Sequence, residues 1–275
     1  GSSSLKWLRP GSFQGNPTGN KSAQLANFPA PPEPKSGSRV LTEHLKFPEY
    51  VPPAVVFPHG KVGNSPSGMA CDMTKGKWGP WANQMFVGEQ TASQVQRVNL
   101  EVVNGLYQGA VFHFLQGFEA GLVPVRMDQE DGTLFIGGTN RGWGSRGSQP
   151  FTFERVRYKG TVPFEMHNIS ARSDGFEVTF THPVDAATAA DTASYSMDAF
   201  TYIYQSSYGS PEVDQAKPTV KSATVSADGL KVRLVIDGLV RGHVHHLVAD
   251  GVRNKAGDAL WHNEGWYTLN EIPSK

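Results

Sequence analysis

Two stretches of this chain repeat one another, and an internal repeat of short strands leaves few folds open to it. The first runs Gly68-Met-Ala-Cys-Asp72, Gln84-Met-Phe-Val-Gly88 and Val95-Gln-Arg97-Val98. The second runs Gly121-Leu-Val-Pro-Val-Arg-Met-Asp128, Thr133-Leu-Phe-Ile-Gly137 and Phe153-Glu-Arg155-Val156. Each has an apolar strand closing on Asp, a turn, a strand closing on Gly after three apolar residues, and a strand carrying Arg-Val. Three or four short strands per unit are the sequence signature of a propeller blade. Only about two such units are visible, so the expectation is part of a larger propeller, with the remaining blades or a partner chain completing the ring.

Composition agrees with an all-β reading. Charged residues are sparse, while the chain has 30 Gly and 19 Pro, which favours a turn-rich β protein over a helical one. The 25 basic and 25 acidic side chains balance, so nothing points to a nucleic-acid partner. No run approaches the ~20 apolar residues of a membrane span. Cys71 is the single cysteine, which rules out an intrachain disulfide or a multi-cysteine zinc site within these residues, and its apolar strand predicts a buried structural thiol. Gly1-Ser-Ser-Ser reads as an added or internal start, so the lack of a signal peptide there says nothing about compartment. Few cysteines and many aromatic strands fit a secreted or periplasmic protein.

The chain divides into three. Residues 1–50 read as an extended strap or linker, with Trp7, Phe13 and Phe28 as anchors and Pro29-Ala-Pro-Pro-Glu-Pro34 as a polyproline-type segment. Residues 51–163 carry the blades, including a hairpin at Asn104-Gly105 and a turn at Asp131-Gly132. Residues 164–275 alternate apolar and polar over 175–180, 220–225 and 231–236, with further strands at 243–248 and 266–269. About seven short strands in such a span predict an immunoglobulin-like β-sandwich.

Between the last two strands of the second repeat lies a Gly-rich insertion, Gly137-Gly-Thr-Asn-Arg141-Gly-Trp143-Gly-Ser-Arg146-Gly-Ser-Gln-Pro150. Two guanidinium groups in a loop that Gly keeps close-fitting can meet one anionic ligand, and Trp143 can stack on a planar ring or a sugar. The competing expectation pairs both arginines with carboxylates and makes Trp143 a wedge between blades. His59, Lys61 and His113 stand at strand ends, and Glu89 could face a central channel. His59, Lys61 and Glu89 are candidate substrate contacts. His243 and His245 share a strand face, but two histidines without a nearby third ligand make a weak zinc site, and a half-exposed sandwich strand is the better account. No nucleophile elbow, phosphate loop or dinucleotide fingerprint is present.

Taken together, Gln84-Met-Phe-Val-Gly-Glu-Gln-Thr91, Val103-Asn-Gly-Leu-Tyr-Gln-Gly-Ala110, Thr139-Asn-Arg-Gly-Trp-Gly-Ser145 and Tyr208-Gly-Ser-Pro-Glu-Val-Asp214 resemble the C-terminal portion of a glucose/sorbosone dehydrogenase-like propeller family. Its members are large secreted bacterial proteins, often haem c-linked. The resemblance implies the last blades of a six-bladed propeller followed by a small β-sandwich, and cofactor-dependent oxidation of a sugar with pyrroloquinoline quinone and calcium. It implies Asn140, Arg141, Trp143 and Arg146 as cofactor contacts, with the two arginines on the quinone carboxylates. No catalytic histidine can be matched to a position here, and the chain has no Cys-x-x-Cys-His haem motif. The alternative is a non-catalytic module that binds a carbohydrate or a protein.

Overall fold

The computed structural model describes residues 3–13, 33–43, 46–47 and 49–274. After β1 (Ser3–Lys6), a short helix α1 (Val40–Glu43) and β2 (Pro53–Phe57), the repeat folds as two antiparallel meanders. The first comprises β3 (Pro66–Cys71), β4 (Met85–Glu89), β5 (Gln94–Val103) and β6 (Leu106–Gln116); the second comprises β7 (Leu122–Met127), β8 (Leu134–Thr139) and β9 (Phe151–Val156). The two match in register. Phe86 faces Arg97 and Gly88 faces Val95 in the first, as Phe135 faces Arg155 and Gly137 faces Phe153 in the second. Even the closing turns correspond, with the Asp72 amide donating to the Gln84 carbonyl and the Asp128 amide to that of Thr133. Asn104 and Gly105, both at positive φ, make the tight β5–β6 turn expected of Asn-Gly.

The meanders stack face to face. Phe86, Val95 and Phe114 of the first form one core with Leu122, Val125, Leu134 and Ile136 of the second, closed at the side by Trp78 and Trp81. Approach is close enough that a Cβ on Gly68 would lie 2.4 Å from the Val123 carbonyl oxygen, so this position tolerates only glycine.

The second half adds β10 (Met166–Arg172), β11 (Gly175–Phe180), α2 (Ala186–Ala190), β12 (Ser196–Thr201), β13 (Val213–Ala216), β14 (Thr219–Val225), β15 (Lys231–Asp237), β16 (His243–Val248) and β17 (Glu264–Leu269). Asp185 caps α2 by accepting from the Thr188 amide. Strands β10-β11-β15-β14 form one sheet, and its Phe176, Val178, Val232 and Leu234 bury against Met197, Leu247, Tyr267 and Leu269 of β12, β16 and β17. That second layer does not stop at residue 163. β17 pairs with β6, so one sheet of eight strands runs β13-β12-β16-β17-β6-β5-β4-β3 through both halves. The described residues are thus all-β in four sheets, and no sheet among them closes into a barrel.

A polar ladder joins the halves. β10 is an edge strand, and its outward backbone groups need partners. Alternate residues of β5 supply them: Arg97 donates to the Met166 and His167 carbonyls at 2.6 Å, Asn99 exchanges bonds with the Ile169 amide and carbonyl, and Glu101 accepts from the Ala171 amide. Arg97 also donates to Gln84 Oε1, and its guanidinium lies 4.3 Å from the Trp81 ring centre and 4.4 Å from that of Phe112. Complete burial pulls its pKa down to about 10.

Part of residues 1–50, expected as a strap, is described. β1 pairs with β2, Trp7 meets Tyr107 edge-on at 5.0 Å and Phe13 meets Tyr50 at 5.9 Å. Phe28 and residues 29–32 of the polyproline-type segment lie outside the described residues. Cys71 corrects its expectation. It sits half-exposed on the edge strand β3, 3.8 Å from the Met73 sulfur, because alternation along the strand turns it away from the packed face.

Candidate functional site

One cleft of about 360 Å³ collects several of the candidates. Its wall is formed by the turn at Gly60 to Asn64, Thr91 and Ala92 after β4, Gln94 of β5, His113 and Gln116 of β6, and Arg146. Each part is held by identifiable bonds. The Gly60 amide donates to Asn64 Oδ1 at 2.7 Å, and Gly60 itself takes φ +75°. Gln94 and Gln96 both donate from Nε2 to the Val62 carbonyl, tying the turn down to the sheet. The Arg146 amide donates to the Thr91 carbonyl at 2.8 Å, and Ser93 Oγ accepts from the Gly147 amide at 2.9 Å.

Glu89 is the keystone beneath the cleft. The sequence offered it as a group facing a channel, but it is fully buried, with Oε1 accepting from the Asn64 and Ser65 amides and Oε2 from the Ala92 amide. A carboxylate that takes three backbone N–H groups has little left for a ligand, so its role is to shape both rims. Glu89→Gln would turn an NH₂ toward an amide that donates. A loss of about 1–3 kcal/mol in urea unfolding is the expected result.

Three cationic or basic side chains enter the cleft with different freedom. Lys61 pairs with Glu212 at 2.8 Å and lies 4.6 Å over the Phe200 ring, so part of its charge is already answered. Arg146 is exposed, and its guanidinium has no hydrogen-bond or ion-pair partner among the described residues. His113 packs edge-on against Trp266 at 5.3 Å; burial above all, with the nearby His262 and Arg146, pushes its pKa down. It therefore faces the cleft as a neutral imidazole at pH 7. The remaining lining is mainly amide and hydroxyl groups, a surface suited to a polar ligand with a negative end.

The other candidates fall elsewhere. Asn140 is a clamp: Oδ1 accepts from the Gly121 amide, and Nδ2 donates to the Gly147 and Gln149 carbonyls. With the loop ends fixed in this way, its tip turns out to solvent. Trp143 is 78% exposed, its carbonyl accepting from Gln90 Nε2, and Arg141 is exposed beside it. Neither lines the cleft, so Arg141 and Trp143 do not join Arg146 there, and among the described residues Trp143 is not wedged between the two meanders. His59 is exposed and lines a separate hollow with Tyr202 and residues 205–211. Among the three clustered histidines, His246 stacks on Trp266 and bonds Glu264, His243 contacts the Asp214 carbonyl, and His245 is buried. Asn64, Thr91, Gln94 and Gln116 were not singled out by sequence; the alternation Gln94-Val-Gln96, polar toward one face, was the available signal.

The expected quinone and calcium can be set against this lining. Lys61 and Arg146 would suit quinone carboxylates. Calcium asks for six to eight oxygen ligands with carboxylates among them. No carboxylate lines the cleft among the described residues, and these hold no group of three or more His, Cys, Asp or Glu side chains that could bind a metal ion. The pair does not fit this cleft.

No family model matches the chain, and no curated protein matches it. Among solved structures, surface layer protein SbsC, domains 1-6, is similar over 43% of this chain and 15% of that chain, with 26% sequence identity and a TM-score of 0.32.

Proposed function

We propose that the chain is a non-catalytic binding module whose cleft takes a carboxylate-bearing carbohydrate. The observation that carries this reading is the convergence of Arg146, Lys61 and His113 with Gln94, Gln116, Asn64 and Thr91 on one cleft. An unpaired guanidinium gives a carboxylate its strongest available contact, and the amides and hydroxyls around it suit a polyol. The cleft volume lies in the range of small-ligand sites. Sugar oxidation through a quinone ranks second. It rests on the family resemblance and on a neutral histidine beside two cations, and among the described residues the cleft is lined by none of the carboxylates that calcium would need.

The wider architecture follows the same logic. Two register-matched meanders stacked face to face support a propeller-like arrangement, and the four-stranded sheet facing β12, β16 and β17 supports an immunoglobulin-like second half. A periplasmic or extracellular setting accords with an anionic saccharide as ligand.

Calorimetric titration with glucuronate and with glucose tests the proposal. Glucuronate is expected to bind and glucose to bind at least about tenfold more weakly, since a charge-assisted hydrogen bond contributes about 1.5–3 kcal/mol. Arg146→Ala is expected to remove that preference at unchanged melting temperature. Equal affinity for both sugars, or an unaffected Arg146→Ala variant, would refute it. Quinone with calcium is expected to leave no protein-bound absorbance after desalting; retained absorbance would restore the oxidative reading.

A further inference from the structure

The outer face of the β7–β8–β9 sheet carries Phe151 and Phe153, 75% and 77% exposed, with Phe135 stacked on Phe153 at 5.9 Å and the exposed Arg126 and Arg155 beside them. Two neighbouring phenylalanines left this bare are unusual on a surface that stays in water. The repeat identifies what their counterparts do. Phe135, Phe153 and Arg155 occupy the positions of Phe86, Val95 and Arg97, all fully buried in the first meander. Phe86 and Val95 are covered there by Leu122, Val125, Leu134 and Ile136, which lie on the opposite face of the second meander. The stacking is therefore head-to-tail: one face of a unit receives the other face of the next. Such an interface repeats until something stops it, and among the described residues it ends on an uncovered face.

We infer that this face is an interaction surface for a further three-stranded sheet of the same kind, carried by a partner chain. That sheet would lay aliphatic side chains, placed as Val125, Leu134 and Ile136 are placed here, across Phe135, Phe151 and Phe153. A second copy of this chain cannot supply them. Its first meander has Val87 and Val98 already packed under Val55, Val56, Phe57 and Val62, and its second uses Leu134 and Ile136 in its own core. The inference rests on the repeat and not on the cleft, so either can fail without the other.

A tandem insertion tests it, with a second copy of residues 118–158 placed after Lys159 on Gly-Ser linkers as a stand-in for the partner sheet. Hydroxyl-radical labelling of the original Phe151 and Phe153 is expected to fall about fivefold or more, as at the dry centre of an interface. Leu→Asp and Ile→Asp changes in the inserted copy, at the positions matching Leu134 and Ile136, are expected to restore it. Unchanged labelling in a folded tandem chain would overturn the inference. Should the tandem chain not fold, sedimentation velocity of the unaltered protein decides: a monomer with concentration-independent labelling is expected, and a dimer abolished by Phe153→Ser would overturn it in favour of self-pairing.

Discussion

Arg97→Ala is expected to destabilise the chain by about 3–5 kcal/mol, the cost of breaking a buried charged network. For a chain of this size that lowers the melting temperature by roughly 10 °C. The physical reason is threefold. The Met166 carbonyl and Gln84 Oε1 would lose the Arg97 donors that satisfy them, the His167 carbonyl would keep only Gln84 Nε2, two aromatic faces would lose their cation, and a side-chain-sized void would open between β5 and β10. Arg97→Met would refill the void while leaving the Met166 carbonyl and Gln84 Oε1 without the Arg97 donors, and is expected to recover only part of the loss. The repeat supplies a control, because Arg155 occupies the same position in the second meander but is exposed. Arg155→Ala should change stability by no more than about 0.5 kcal/mol. Equal effects of the two substitutions, in thermal or urea unfolding, would remove Arg97 as the bolt between the halves.

Acid should weaken the fold before its carboxylates titrate. His245 is buried against Phe176, and its Nε2 accepts from the Val240 amide at 3.3 Å. A second ring proton would have to sit on Nε2, facing another donor. Burial, reinforced by His243, pushes its pKa down to about 3. In the unfolded chain a histidine titrates near 6.5. Between those values the unfolded state binds more protons, so this contribution is complete above about pH 6.5 and is lost as the pH falls toward 3. The slope approaches about 1.4 kcal/mol per pH unit for one such group. His113 and His167, also depressed mainly by burial, act in the same direction. His245→Gln keeps an acceptor for Val240 without a titrating ring and is expected to flatten the slope. Parallel profiles for parent and variant, followed by urea unfolding from pH 7 to 4, would contradict this origin.

Much of the fold was legible because its signals are local. Alternation located β11, β14 and β15, and Asn104-Gly105 fixed the β5–β6 hairpin. The repeat carried further still, down to matching register. What escaped was long-range. Nothing in Val95-Gln-Arg97-Val98 says that Arg97 reaches the backbone of residues 166 and 167, or that β17 extends the sheet of the first meander. The change in pattern near residue 163 marks where a new sheet begins, while the older sheet continues past it. The site divides in the same way. Lys61 was readable as a cation at a strand end and Arg146 as one in the Gly-rich loop, and both line the cleft. Glu89 read as a ligand because its backbone partners are invisible in sequence, and Asn140 clamps the Gly-rich loop so that Arg141 and Trp143 point outward. Residue type named the chemistry, and hydrogen bonds made far along the chain decided where it is used.

The most direct test of the cleft is an amide chemical-shift map of the ¹⁵N-labelled chain titrated with glucuronate. The expected shifts cluster at Lys61, Asn64, Thr91, Gln94, His113 and Arg146, saturate together, and vanish in Arg146→Ala. Shifts confined to Arg141 and Trp143, or none at saturating ligand, would contradict the cleft as the binding site.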